Sequence, residues 1–204
     1  MTINDELDDA LARAFPVSPD HLENLHRRLA TEAEAEGILD VSYRIVDSPV
    51  GTLLLAATTI GLVRVAFETE DHDVVLEDLT RRISPRILHA PARLDSVATA
   101  LDEYFSGARR TFGLPLDWRL SSGFRSTVLR RLPEITYGRT TSYAAVAKLA
   151  DNPKAVRAVG SACATNPLPI VIPCHRVIRS DGALGEYLGG VHAKQTLLEI
   201  EASA

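Results

Sequence analysis

The sequence predicts a mixed α/β (α+β) protein. A small N-terminal domain of β-sheet and helices should precede a mainly α-helical domain with a helix-turn-helix and a candidate active-site cysteine. Three observations carry this expectation. Strand-like apolar runs crowd into residues 41–67. Apolar spacings of three and four mark the flanks and the chain after Phe124. The length of 204 residues holds one ordinary domain, or two small ones, with a real core.

Residues 1–40 read as an acidic helical extension. Leu7, Leu11 and Ala14, then Leu22, Leu25 and Leu29, recur at helical spacing, split by Pro16 and Pro19. Ser18 or Asp20 can cap the second helix, and Gly37 ends it. The extension is expected to be a structural cap. Residues 41–107 read as a small α/β domain. Three strands are expected over 41–46, 52–57 and 61–67, with turns at Pro49 and Gly51, followed by helices over 73–83 and 93–106. Residues 108–120, with Pro115 and Trp118, read as a linker.

Residues 121–204 form the second expected domain. A helix begins near Phe124, and Tyr137-Gly138 interrupts the pattern. Thr141 or Ser142 caps a helix over 143–150. Asn152-Pro153 supplies a cap and a first-position proline for another helix, running to about Cys163. Such helix pairs are common, so this pattern alone assigns no function. Residues 168–173 read as a short extended segment between prolines. A glycine-rich loop over 182–190 and a last helix over 191–202 complete the chain.

Charge is unevenly placed. Residues 1–106 carry 9 Lys+Arg against 20 Asp+Glu, whereas 107–204 carry 13 against 7. The net charge of −5 would argue against nucleic acid, but the basic C-terminal half argues for it. Chance segregation of surface charge is the plainer alternative. No apolar run approaches the roughly 18 residues of a membrane span, and the acidic N-terminus does not resemble a secretory signal. Two cysteines outside any CxxC pair make neither a disulfide framework nor a zinc site. His21 and His26 are poorly spaced for one helical face. A cytoplasmic protein without metal is expected.

Cys174 is the centre of the chemistry. Pro173 restrains the chain before it, and His175 and Arg176 follow. A thiol is a nucleophile only as thiolate, which nearby cations favour. The alternative is a buried structural cysteine, the commonest fate of a free one. Cys163, on a helix expected to face the pocket, is assigned to packing.

The run Asn166-Pro-Leu-Pro-Ile-Val-Ile-Pro-Cys174-His-Arg-Val-Ile178 resembles the signature of the O6-alkylguanine–DNA alkyltransferases, also called methylated-DNA–protein-cysteine methyltransferases. The resemblance continues through Tyr137–Tyr143 and Asn152–Gly160. It also includes Gly185-Glu-Tyr187-Leu-Gly189-Gly190 and Lys194, and it ends near Glu201. It covers about residues 41–202 and is strongest from 124 onward.

The resemblance implies a suicide DNA repair protein. It would flip O6-alkylguanine, and by extension O4-alkylthymine, out of duplex DNA and move the alkyl group irreversibly to Cys174. His175 would act as base through a water, with Glu201 orienting the imidazole. Asn166 would tie the helix-turn-helix to the active-site segment. Tyr143 would press the phosphate 3′ of the target and donate toward the departing guanine. Arg157 would replace the flipped base in the stack. Ala155, Ala158 and Gly160 would let the helix approach the minor groove. Tyr187, Gly189 and Gly190 would close over the base, with Pro169 and Leu184 lining the pocket. The resemblance implies no cofactor and a monomer on double-stranded DNA, with cooperativity left open.

Three positions depart from the pattern. Thr136 stands where the family usually has proline, and Glu186 and Leu188 replace small or polar residues beside Tyr187. Two rival functions remain at this level. A lesion-binding module would not need Cys174, and a cysteine hydrolase would need an oxyanion hole and turnover.

Overall fold

The structure is a computed structural model, and residues 18–203 are described. The expected helix around Leu7–Ala14 lies outside them. The chain divides into Met1–Leu39 and Asp40–Ala204. In the first unit, α1 spans Pro19–Ala35. Ser18 is its cap, accepting from the His21 amide at 3.2 Å. Gly37 follows the helix at φ +66°, a conformation glycine adopts without a Cβ penalty.

The second unit begins with β1 (Val41–Val46), β2 (Leu53–Ala57) and β3 (Leu62–Phe67). Helix α2 (His72–Arg82), strand β4 (Ile87–His89) and helix α3 (Asp95–Phe105) follow. The sheet order is β3-β2-β1-β4, with β4 parallel to β1. Strand β4 was not expected: three residues are too short for a periodic signal.

Both sheet faces are covered, which explains the unbroken Leu-Leu-Leu-Ala-Ala of β2. Leu54 and Ala56 pack with Val75 and Leu79 of α2. Leu53 and Leu55 face a larger core shared with α3 and the C-terminal half. The ladder of β3 shifts register opposite Ala56 and Ala57. This bulge returns Leu62 and Val65 to the same core despite their odd spacing.

The stretch expected as a linker packs against the sheet edge. The Leu62 amide donates to the Pro115 carbonyl at 2.9 Å, and the Asp117 amide donates to the Leu62 carbonyl at 2.8 Å. A Cβ on Gly61 would lie 2.2 Å from the Pro115 carbonyl oxygen, so this approach requires glycine. Buried Asp117 accepts from the Thr58 hydroxyl at 2.6 Å and pairs with Arg119. The guanidinium of Arg130 lies 4.2 Å from the Trp118 ring centroid.

The C-terminal half contains α4 (Gly123–Arg131), β5 (Thr141–Ser142), α5 (Tyr143–Leu149) and α6 (Val156–Ala164). Strand β6 (Val177–Ile178) and helix α7 (Gly190–Ser203) follow. Ser142 caps α5, accepting from the Ala145 amide at 3.2 Å.

Two expectations are corrected. Helix α6 starts at Val156, not at Pro153, and has no side-chain cap. Residues 150–152 close α5 through amides donating to Val146, Lys148 and Ala147, which leaves Asn152 in the turn. Residues 168–173 are not extended. The Ile172 amide donates to the Leu168 carbonyl at 2.8 Å, and the Cys174 amide donates to the Ile172 carbonyl at 2.8 Å. Pro167, Pro169 and Pro173 lack amide donors, so the segment cannot form a full ladder and coils on itself.

Candidate active site

Cys174, His175 and Arg176 form one buried 3-10 turn, with Cys174 1% and His175 0% exposed. Strand β6 leaves this turn and pairs in parallel with β5, matching Thr141 to Val177 and Ser142 to Ile178. This two-residue ladder fixes the start of α5, and with it Tyr143, beside the cysteine turn.

Asn166 is fully buried just beyond α6. Its Oδ1 accepts from the Leu168 amide at 3.0 Å. Its Nδ2 donates to the Ile172 carbonyl at 2.9 Å and to the Cys174 Sγ at 3.1 Å. One side chain therefore joins α6, the coiled segment and the thiol. Ile170 within that segment has φ +71°, a conformation that costs a β-branched residue roughly 1–3 kcal/mol. The Asn166 bonds on either side of it offset that strain.

Burial pushes the Cys174 thiol up to about 11, against the Asn166 amide and the Lys194 ammonium, which favour the thiolate. The resting group is therefore a thiol and needs a base. Glu201, on α7, accepts from His175 Nε2 at 2.8 Å. Burial alone would raise the Glu201 pKa, but hydrogen bonds from His175 and Arg176 outweigh it and hold the carboxyl at about 2. An ionised carboxylate only accepts, so Nε2 carries the proton and neutral Nδ1 is a free lone pair. His175 Nδ1 is buried without a hydrogen-bond partner among the described residues. Burial lowers the His175 pKa against the pull of Glu201, which keeps the ring neutral and basic at that nitrogen.

Glu201 gathers further donors. Arg176 Nη2 reaches Oε1 at 2.9 Å, and Arg176 Nε reaches Oε2 at 2.9 Å. The Gly138 amide donates to Oε2 at 3.0 Å, and the Tyr104 hydroxyl donates to Oε1 at 2.8 Å. A Cβ on Gly138 would lie 2.9 Å from the Glu201 carbonyl oxygen, and Gly138 has φ +70°. Sequence reasoning missed Tyr104 and the Gly138 amide. The Tyr104–Glu201 bond spans 97 positions, and no local pattern announces it.

The glycine-rich loop covers the turn. The Tyr187 ring meets Phe67 edge-on at 5.5 Å and lies 6.4 Å from the His175 ring. Gly189 packs against Phe67, whose ring would meet a Cβ there at 2.7 Å. Gly190 begins α7 with φ +82°. Pro169 is buried, Leu184 is half-buried, Glu186 is exposed, and half-buried Leu188 packs against the core. Buried Lys194 donates to the Val177 carbonyl at 2.7 Å and also to the Leu184 carbonyl, tying loop to turn. Tyr143 is half-buried, and its hydroxyl packs against Gly185. Burial first, then neighbouring negative groups, raises the Tyr143 pKa, so the phenol remains a donor.

Arg157 is exposed in the first turn of α6, earlier in the helix than expected. Ala158 is exposed, Gly160 is half-buried beside open space, and half-buried Ala155 precedes the helix. Arg139, Lys148 and Lys154 are also exposed in this half.

Comparison with known proteins places this geometry in a family. The family model for the 6-O-methylguanine DNA methyltransferase DNA-binding domain matches residues 123–203, and that for its ribonuclease-like domain matches 41–118. The chain belongs to the methylated-DNA–protein-cysteine methyltransferase family. A mouse relative is 37% identical over 171 residues, covering 79% of this chain and 81% of the relative. One from Mycolicibacterium paratuberculosis is 38% identical over 161 residues, covering 79% of this chain and 92% of the relative. A crystal structure of Mycobacterium tuberculosis OGT in complex with DNA superposes with TM-score 0.70 at 35% identity, covering 79% of this chain and 93% of the other. Proteins of this family repair DNA by alkyl transfer to a protein cysteine. Cys174, His175 and Glu201 fall in the DNA-binding match, whereas Tyr104 falls in the ribonuclease-like one.

Proposed function

We propose that this protein removes the alkyl group from O6-alkylguanine in duplex DNA and keeps it on Cys174. The observation that carries this reading is a buried thiol held by Asn166, next to a neutral histidine whose Nε2 is held by Glu201 and whose Nδ1 is left free. His175 Nδ1 takes the thiol proton through an intervening water. The thiolate attacks the alkyl carbon, the carbon–O6 bond breaks, and its electron pair stays on guanine. Guanine gains a proton from Tyr143, and Tyr143 is reprotonated through water as His175 gives up the proton taken from sulfur, so S–H and alkyl–O become S–alkyl and guanine N–H. The thioether is stable, so each molecule acts once. No cofactor enters this balance.

A base inside a duplex cannot reach a buried sulfur, so the target must be flipped. Arg157 fills the vacated stack, with Ala155, Ala158 and Gly160 allowing close approach to the minor groove. Tyr187, Gly189, Gly190, Pro169 and Leu184 form the pocket around the flipped purine. O4-alkylthymine presents the same alkyl–oxygen bond on a smaller ring and is a second substrate. The protein acts as a monomer, with residues 41–107 and 121–204 as its working halves.

The test is mass spectrometry after mixing with a duplex containing O6-methylguanine. One methyl group should appear per molecule, on the Cys174 peptide, and none in Cys174→Ser. Lesion binding without a mass change would overturn the reading in favour of a lesion sensor. Repeated turnover on one protein molecule would overturn single use.

A further inference from the structure

We propose that Tyr104 is a positioning residue of the proton path, setting the basicity of His175 through Glu201. This deepens the proposed function and rests on it. Tyr104 comes from α3, in the sheet-bearing half, and is fully buried. Its hydroxyl donates to Glu201 Oε1 at 2.8 Å, the same oxygen that accepts from His175 Nε2. The hydroxyl also lies 3.4 Å from Nε2 itself. Tyrosine and imidazole therefore compete for one carboxylate oxygen.

The ring is fixed by its neighbours. Phe105, Phe112 and Tyr137 lie 5.4, 5.2 and 6.0 Å from it, centroid to centroid. Burial first, and then the charge and hydrogen bond of Glu201, raise its pKa far above the ordinary value. The phenol is therefore a permanent donor.

The consequence for His175 has a sign. A hydrogen bond to Oε1 draws off negative charge that would otherwise stabilise the imidazolium. Removing the hydroxyl leaves Glu201 pulling harder on Nε2–H. The imidazolium becomes easier to form, and Nδ1 is blocked at a higher pH. The other groups facing the imidazole are Arg176 on its own turn, Lys194 on α7, Tyr187 in the loop and Cys174. Arg176 and Lys194 both oppose protonation. The substitution changes none of these.

Tyr104→Phe keeps the ring and removes only the donor. In the full-length protein, the acid limb of the alkyl-transfer rate should move up by about 0.5–1 pH unit. The rate on the alkaline plateau should change less than about threefold. An NMR titration of the His175 ring nitrogens should show the same upward movement without DNA. Phe112→Leu disturbs the cage but not the hydroxyl, and should lower thermal stability without moving the acid limb. Should Tyr104→Phe fail to fold, difluorotyrosine at position 104 gives a stronger donor and should move the limb downward.

An unmoved limb and His175 titration in Tyr104→Phe, or in the difluorotyrosine protein, would overturn the proposal. So would an equal loss of rate at every pH. The NMR readout needs no alkyl transfer. A wild-type protein that never methylates Cys174 would therefore refute the proposed function separately from the link between Tyr104 and His175.

Discussion

Glu201→Gln should destabilise the protein at pH 7 and flatten its response to acid. Glu201 has a fully buried side chain and receives donors from Tyr104, Gly138, His175 and Arg176. Its carboxyl is held at about 2 against an ordinary 4.5. At 1.36 kcal/mol per pH unit, the carboxylate contributes about 3 kcal/mol at neutral pH. Breaking a buried ion pair by removing one partner costs roughly 3–5 kcal/mol, so the two routes agree. For a chain of this size, that lowers the melting temperature by about 6–12 °C. The folded-state value is depressed, so between the two values the unfolded chain binds more protons. The stabilisation is complete above about pH 5 and is lost as pH falls toward 2. At pH 3, less than half of it should remain. Urea unfolding of both proteins at pH 7 and pH 3 measures this directly. The gap between them should narrow by about 2 kcal/mol. A gap of the same size at both pH values, or none at pH 7, would refute an ionised, stabilising Glu201.

Two further substitutions separate support of the thiol from support of the fold. Asn166→Ala removes the donor to Sγ, leaves the Leu168 amide unpaired and leaves the Ile172 carbonyl with the Cys174 amide alone. It should cost about 2–4 kcal/mol and raise the Cys174 pKa further, read as thiolate absorbance near 240 nm against pH. An unchanged thiol titration would show that Asn166 does not act on sulfur. Gly61→Ala drives a methyl into the Pro115 carbonyl, far from the thiol in sequence. It should lower stability by about 2–4 kcal/mol in denaturant, with the methyl-transfer rate of folded molecules unchanged. A matching loss of rate would tie the sheet edge to the site.

What could be read from sequence follows from the range of each interaction. The three long strands and most of the helices announce themselves through spacing, because their apolar faces repeat within a few residues. Ser142 is legible as a cap for the same reason. The cysteine turn is legible as a motif, but the segment 168–173 before it coils where its composition suggests a strand. Its apolar residues look strand-like, while the prolines among them remove the donors a strand would need. The short ladders β4 and β5–β6 escape because two or three residues carry no period. Cys174 stands out from its own neighbours, whereas the roles of His175 and Glu201 come through family likeness. The spacing of Glu201 gave no hint that it is buried against His175. Tyr104 was beyond reach, because its role depends on a contact across most of the chain.

These long-range contacts converge on one anion. Glu201 ties α3 through Tyr104, the chain break through Gly138, the cysteine turn through His175 and Arg176, and α7 through its own backbone. In a low-dielectric interior a carboxylate paired on both oxygens holds its donors rigidly, and losing one donor is felt by the rest. Beside this cluster, burial lets the thiol rest in its protonated form. A protein whose nucleophile acts once gains from a thiol that is not a standing thiolate, since oxidants and stray electrophiles attack the thiolate. Burial supplies that restraint at Cys174 and at the same time removes the solvent that would accept its proton. The base must then be built in. His175, the proposed base, meets that need only if Nδ1 is unprotonated, and the bond from Nε2 to Glu201 favours that state. In the proposed mechanism the protected thiol and the buried carboxylate are two parts of one device, and the tyrosine proposed to tune the carboxylate reaches it from the other half of the fold.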